Sequence, residues 1–108
     1  MTLSELSDEK LMREAANGRF SAFEDFMGRH QGRVLNFLWR ICGSEETAKG
    51  LFEGTWAELY KMRGTQAAAN ACQTLLFSIA TRKAIRLLSE NPALGVPRGV
   101  AMQGDRVE

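Results

Sequence analysis

Apolar side chains that recur every three or four residues from Phe23 to Ile41 constrain this chain more than any other feature. Phe23, Phe26, Met27, His30, Val34, Phe37, Leu38 and Ile41 fall on one stripe of an α-helix. Strand signals do not compete with it. The chain has few β-branched runs and no sustained alternation of period two. The spacing predicts a long core-facing helix and an all-α fold.

Punctuation on either side repeats the pattern. Ser7 precedes Asp8 and Glu9, an N-cap followed by acids that complement the helix dipole, and Gly18 closes that first short helix. Ser21 and Glu24 have capping-box spacing for the long helix, with Phe20 placed as a staple residue. Gly43 ends it. Ser44 caps the next helix, in which Ala48, Leu51, Phe52, Thr55 and Leu59 form a stripe running to about Met62. A loop around Gly64 leads to a further helix, where Cys72, Leu75, Leu76, Ile79, Ala80, Ala84 and Leu87 share a face. From Asn91 the pattern dissolves into Pro92, Gly95, Pro97, Gly99 and Gly104, which reads as a flexible linker or tail over 91–108. The expected architecture is one domain over residues 1–90, a compact bundle of one short helix and three longer ones.

With 108 residues, 44% of them hydrophobic, the chain can build a single core without staples. Its two cysteines, Cys42 and Cys72, imply no disulfide framework. No apolar run is long enough to span a bilayer, and the acidic start (Glu5, Asp8, Glu9) is wrong for a signal peptide. A reducing cytoplasm is the expected location.

The formal net charge of +1 hides an uneven distribution. Residues 1–60 carry ten acids and seven bases, whereas 61–108 carry three acids and seven bases. Between Lys61 and Arg86 lie Lys61, Arg63, Arg82, Lys83 and Arg86 with no acid at all. Such a local positive field suits an anionic partner such as nucleic acid, and a solvated helix face is the plainer alternative.

Catalytic chemistry is sparse. His30 is the single histidine and lies on the apolar stripe, so it reads as a satisfied core residue rather than a base or ligand. One histidine and two cysteines in three different helices lack the paired spacing of a zinc site. The cysteines fall near apolar faces and read as packing, with a thiol switch as the alternative. No glycine loop suited to cradling phosphate is present. The expectation is a protein that is not an enzyme and needs no metal or other cofactor.

Glycine placement is unusual. Gly28 and Gly32 fall inside the second helix, and Gly50 and Gly54 inside the third, each pair four apart. Each costs about 0.8–1 kcal/mol relative to alanine in a helix interior. Two readings stand: close packing inside the bundle, or a docking or self-association face. Leu35 and Trp39 lie off the main stripe of the second helix. Buried, they widen the core; exposed beside Trp56 or the Gly50/Gly54 face, they mark an interface.

The stretch SDEKLMREAANGRFSAFEDFMGRHQGRVLNFLWRICGSEETAKGLFEGTWAELYKMRG, followed by LLFSIATRKAIRLL, resembles region 2 of the sigma-70 family, in particular the extracytoplasmic-function group of bacterial sigma factors. The resemblance covers about residues 4–90. It implies a module that docks its third helix on the clamp of core RNA polymerase, through residues drawn from Glu45, Glu46, Leu51, Glu53 and Trp56. It further implies that the following loop and last helix contact the promoter −10 DNA, through Lys61, Arg63, Asn70, Arg82, Lys83 and Arg86. Departures from the family pattern fall at both places: Gly50-Leu51 and Glu53-Gly54 in the third helix, and Cys72, Leu75, Thr81-Arg82 and Arg86 in the last. A separate region 4 chain, an anti-sigma protein or a second copy are the further partners the resemblance and the glycines suggest. Two alternatives remain open. One is a degenerate sigma-like regulator that docks or sequesters a protein partner or self-associates. The other is a basic helical bundle that binds nucleic acid without polymerase.

Overall fold

Hydroxyl side chains placed just before apolar runs set three of the helix starts in a computed structural model, which describes residues 5–90. Ser7 accepts from the backbone N–H of Lys10 at 3.2 Å, opening α1 (Asp8–Ala16). Ser44 accepts from Thr47 at 3.3 Å, opening α3 (Glu45–Lys61). Thr65 accepts from Ala68 at 3.2 Å, opening the short α4 (Gln66–Asn70). Between them lies α2 (Phe20–Cys42), and α5 (Cys72–Glu90) completes the order. The described residues are all-α, as the spacing predicts.

Two glycines act where a left-handed backbone is needed. Gly18 (φ +97°) turns the chain from α1 into α2, and Gly43 (φ +70°) ends α2 with its N–H on the Trp39 carbonyl at 2.8 Å. The start of α2 departs from the expected capping box. Its N-cap is Arg19, which makes no side-chain cap, and Ser21 already lies inside the helix. The short turn explains the difference: Arg19 N–H bonds back to the Glu14 carbonyl at 3.0 Å, so the helix begins before Ser21 could cap it. Phe20 accordingly sits in the first turn and meets Tyr60 of α3 edge-on at 5.5 Å.

The expected loop around Gly64 contains α4, a single turn too short to leave an apolar period in sequence. Thr65 and an alanine-rich run suffice to form it. Ala71, extended at φ −149° and ψ 56°, separates it from α5. The linker or tail expected over 91–108 lies outside the described residues.

One core holds the helices together. Leu11, Met12, Phe26, Val34, Leu38, Leu59, Leu76 and Ile79 are almost fully buried. Trp56 is its aromatic centre, with Phe23, Phe26 and Phe52 each placing a ring at 6.1 Å, all edge-on. Thr55, also buried, satisfies its hydroxyl by donating to the Leu51 carbonyl at 2.7 Å. The expected stripes of α2, α3 and α5 are the faces that meet here. Among the described residues no helix is long and apolar enough to cross a membrane.

Candidate nucleic-acid and protein interface

The outward face of α5 follows from its spacing. With Ile79, Ala80 and Ala84 turned into the core, Phe77, Thr81 and Ile85 are left along the opposite ridge, flanked by Ser78, Arg82 and Arg86. These six residues line an open groove. Ile85 is 58% exposed, unusual for an isoleucine in a folded domain. Phe77 stands at the head of the groove, edge-on to Phe37 of α2 at 5.6 Å and capped by the Arg33 guanidinium at 5.4 Å.

Of the bases expected to face nucleic acid, Arg82, Lys83 and Arg86 come together on α5. They are not free of acid, because Glu58 of α3 reaches across. Arg82 donates to Glu58 Oε2, and Lys83 Nζ lies 3.3 Å from Oε1. Burial works against the Glu58 carboxylate, but these two cations more than offset it and hold its pKa below the usual range. Arg86 is the most open, with its Nε 3.9 Å from Glu90. The acid-free window in sequence is therefore not acid-free in space; Glu58 stands just outside it and one helix away.

Arg63 lies elsewhere. Its Nε donates to the Ala15 carbonyl at 3.2 Å and its Nη1 to the Tyr60 carbonyl at 2.8 Å. The guanidinium also lies 3.9 Å over the Tyr60 ring. It thus caps the C-terminal ends of α1 and α3 together and is drawn to that junction, away from the α5 ridge. Lys61, the last residue of α3, and Asn70, the last of α4, are both exposed and lie on neither groove wall.

The residues expected to face polymerase divide similarly. Glu45 and Glu46 are exposed in the first turn of α3, where they also complement its dipole. Glu53 is exposed and Leu51 half-buried. Trp56, at 5% exposure, belongs to the aromatic core, edge-on to Phe23 and Phe26. Leu51 joins Gly50, Gly54, Lys83, Arg86, Leu87 and Glu90 in a shallow depression of about 200 Å³ between α3 and α5. A Cβ on Gly54 would lie 3.5–3.6 Å from the end of the Lys83 chain, an ordinary contact, so packing does not demand glycine there; the Lys83 ammonium reaches Glu58 across the same junction.

A polar cluster that sequence reasoning did not assemble joins α1, α2 and α5. Asp8 Oδ2 accepts from Gln73 Nε2 at 2.7 Å and pairs with His30 Nε2 at 2.8 Å, while Oδ1 accepts from Arg29 at 3.0 Å. Arg33, which can only donate, lies 2.9 Å from His30 Nδ1. That nitrogen is thus the acceptor, and the ring proton sits on Nε2, facing Asp8. His30 is 7% exposed, its ring tilted against Phe26 at 4.7 Å, a satisfied core residue as its position on the stripe implies. Burial pushes the Asp8 carboxyl up, but the donors of His30, Gln73 and Arg29 outweigh it and hold the pKa below 3.8. In sequence Asp8 is only a first-turn acid, and nothing local ties it to Gln73.

Cys42 and Cys72 are both buried and unbridged, and burial pushes each thiol up, which disfavours the reactive thiolate. Among the described residues no group of three His, Cys, Asp or Glu side chains converges on a point where a metal ion could sit. Trp39 is 39% exposed and Leu35 half-buried. They line a groove with Gly32, Asn36, Glu45 and Ala48, separate from both Trp56 and the Gly50/Gly54 depression.

No protein-family model matches the chain, and no curated protein or solved structure does either.

Proposed function

We propose that the chain is a region 2-like module of the sigma-70 type. In this reading the exposed side of α3 docks on the clamp of core RNA polymerase and the α5 ridge contacts promoter −10 DNA. The observation that carries it is the α5 surface itself. Arg82 and Arg86 flank an apolar groove headed by an aromatic ring, an arrangement that offers phosphate contacts beside a surface for unstacked bases. The family resemblance over about residues 4–90 points to the same helix. Glu45, Glu46, Leu51 and Glu53 supply the polymerase side, and Trp56 supports it from the core. A region 4 chain or an anti-sigma protein is a further partner in this reading.

The test is binding of the purified chain to bacterial core RNA polymerase, with and without a −10 fork-junction DNA. Tight binding that the fork strengthens is the expected result. Binding to neither overturns it.

One observation favours a second reading, a sigma-like regulator that docks or sequesters a protein without initiating transcription. Arg82 and Lys83 are both held by Glu58, and Arg63 caps two helices, so much of the basic window is engaged within the fold. Polymerase binding that is indifferent to the fork would select this reading.

A further inference from the structure

The second helix carries a seam that the polymerase and DNA reading does not use. Gly28, Gly32, Leu35 and Trp39 follow one another at intervals of four, three and four, which places them in a line along α2. The line consists of two holes followed by two knobs. Gly28 and Gly32 are exposed, and a Cβ on either would meet nothing within 4 Å, so packing within the fold does not explain them. Leu35 and Trp39 stand at the other end, in the groove of about 270 Å³ closed on its far side by Glu45 and Ala48 of α3.

We infer that this seam is the face through which two copies of the chain associate, α2 against α2 in antiparallel register about a two-fold axis. The spacing is complementary to itself only in that orientation. With the axis passing between Arg33 and Val34 in sequence, Trp39 of one copy lies over Gly28 of the other and Leu35 over Gly32, and each contact occurs twice. A parallel pairing would set tryptophan against tryptophan and leave glycine facing glycine. The helix dipoles also oppose in the antiparallel orientation, whereas a parallel pairing would align them. The net charge of +1 offers little repulsion between copies.

The seam is short. From Gly28 to Trp39 it spans roughly 16 Å of helix, and such a contact falls among interfaces of under ~1,200 Å² in total. The dimer is accordingly a weak one, populated in concentrated solution. The pairing does not depend on the nucleic-acid reading, since it uses a different face of a different helix.

Sedimentation equilibrium of the full chain over a wide concentration series tests it. The expected mass rises from 12.0 kDa toward twice that value. Gly28→Leu fills a hole and holds the chain at single-chain mass. The same change leaves helicity intact and the thermal midpoint equal or higher, because leucine is the better helix former and open space awaits it. Trp39→Ala removes the knob and also abolishes the mass increase. Combining Gly28→Leu with Trp39→Ala exchanges knob and hole across the two-fold, so association returns. A wild type that stays single at every concentration overturns the inference and leaves the seam to a helix of another protein. Persistence of the dimer in Gly28→Leu, or no recovery in the combined variant, overturns it equally.

Discussion

Arg63 shows how far a single side chain's role depends on what surrounds it. In sequence it is one base in a run of bases; in the fold it satisfies carbonyls at the ends of two helices and covers the Tyr60 ring. Hydrogen bonds from a charged donor contribute about 1.5–3 kcal/mol each where they are well shielded, and this one is half-buried. Arg63→Ala is expected to destabilise the chain by about 2 kcal/mol in urea unfolding. Arg63→Lys should recover little, because an ammonium cannot serve both carbonyls while lying flat on a ring. Lys61→Ala, two residues away at an exposed position, is expected to change stability by less than ~0.5 kcal/mol. Equal losses at the two positions would refute the capping role.

At the scale of elements, α1 depends on Asp8. This short helix buries Leu11, Met12 and Ala15, and its first residue is tied to α2 through Arg29 and His30 and to α5 through Gln73. The folded carboxyl titrates below its ordinary 3.8, so the unfolded chain binds its proton first as the pH drops. The stability Asp8 contributes is therefore complete above about pH 4 and lost as the pH falls through the lower folded value. Amide exchange is expected to show α1 opening ahead of α3 in that range. Asp8→Asn should remove the extra acid sensitivity while weakening α1 at neutral pH. If α1 and α3 open together in acid, the clasp does not govern α1.

The helices themselves were legible because periodicity, caps and the breakers Gly18 and Gly43 are local signals. The α4 turn was not, being shorter than the period that would reveal it. The resemblance points Trp56 and Arg63 outward, whereas the burial of Trp56 and the place of Arg63 at the α1–α3 junction depend on how separate helices pack. Asp8 with Gln73, and Glu58 with Lys83, are pairings between distant helices, which no spacing within one helix can announce.

On the scale of the whole molecule, Glu58 sets how much positive field α5 presents. It lies between Arg82 and Lys83 at the junction of α3 and α5, and any polyanion approaching the ridge competes with it. Exposed pairs of this kind contribute about 0–1 kcal/mol to stability, so releasing them costs the fold little. Glu58→Gln is expected to leave unfolding nearly unchanged and to tighten binding of a single-stranded oligonucleotide severalfold at low salt. The slope of log affinity against log salt should steepen by about 0.7–0.9 for each base freed to reach a phosphate. Arg86→Glu should move affinity and slope the other way, since Arg86 is largely solvent-exposed and only loosely paired with Glu90. Both variants are read by fluorescence anisotropy across a salt series, against the Gly28→Leu chain, whose altered surface lies on α2. If Glu58→Gln leaves affinity and slope where they were, the α5 bases face solvent without meeting nucleic acid, and the protein-docking reading gains the ground. Should the slope steepen while the Gly28→Leu chain binds like wild type, nucleic acid and the second copy use separate faces, and a dimer would carry two basic ridges at once.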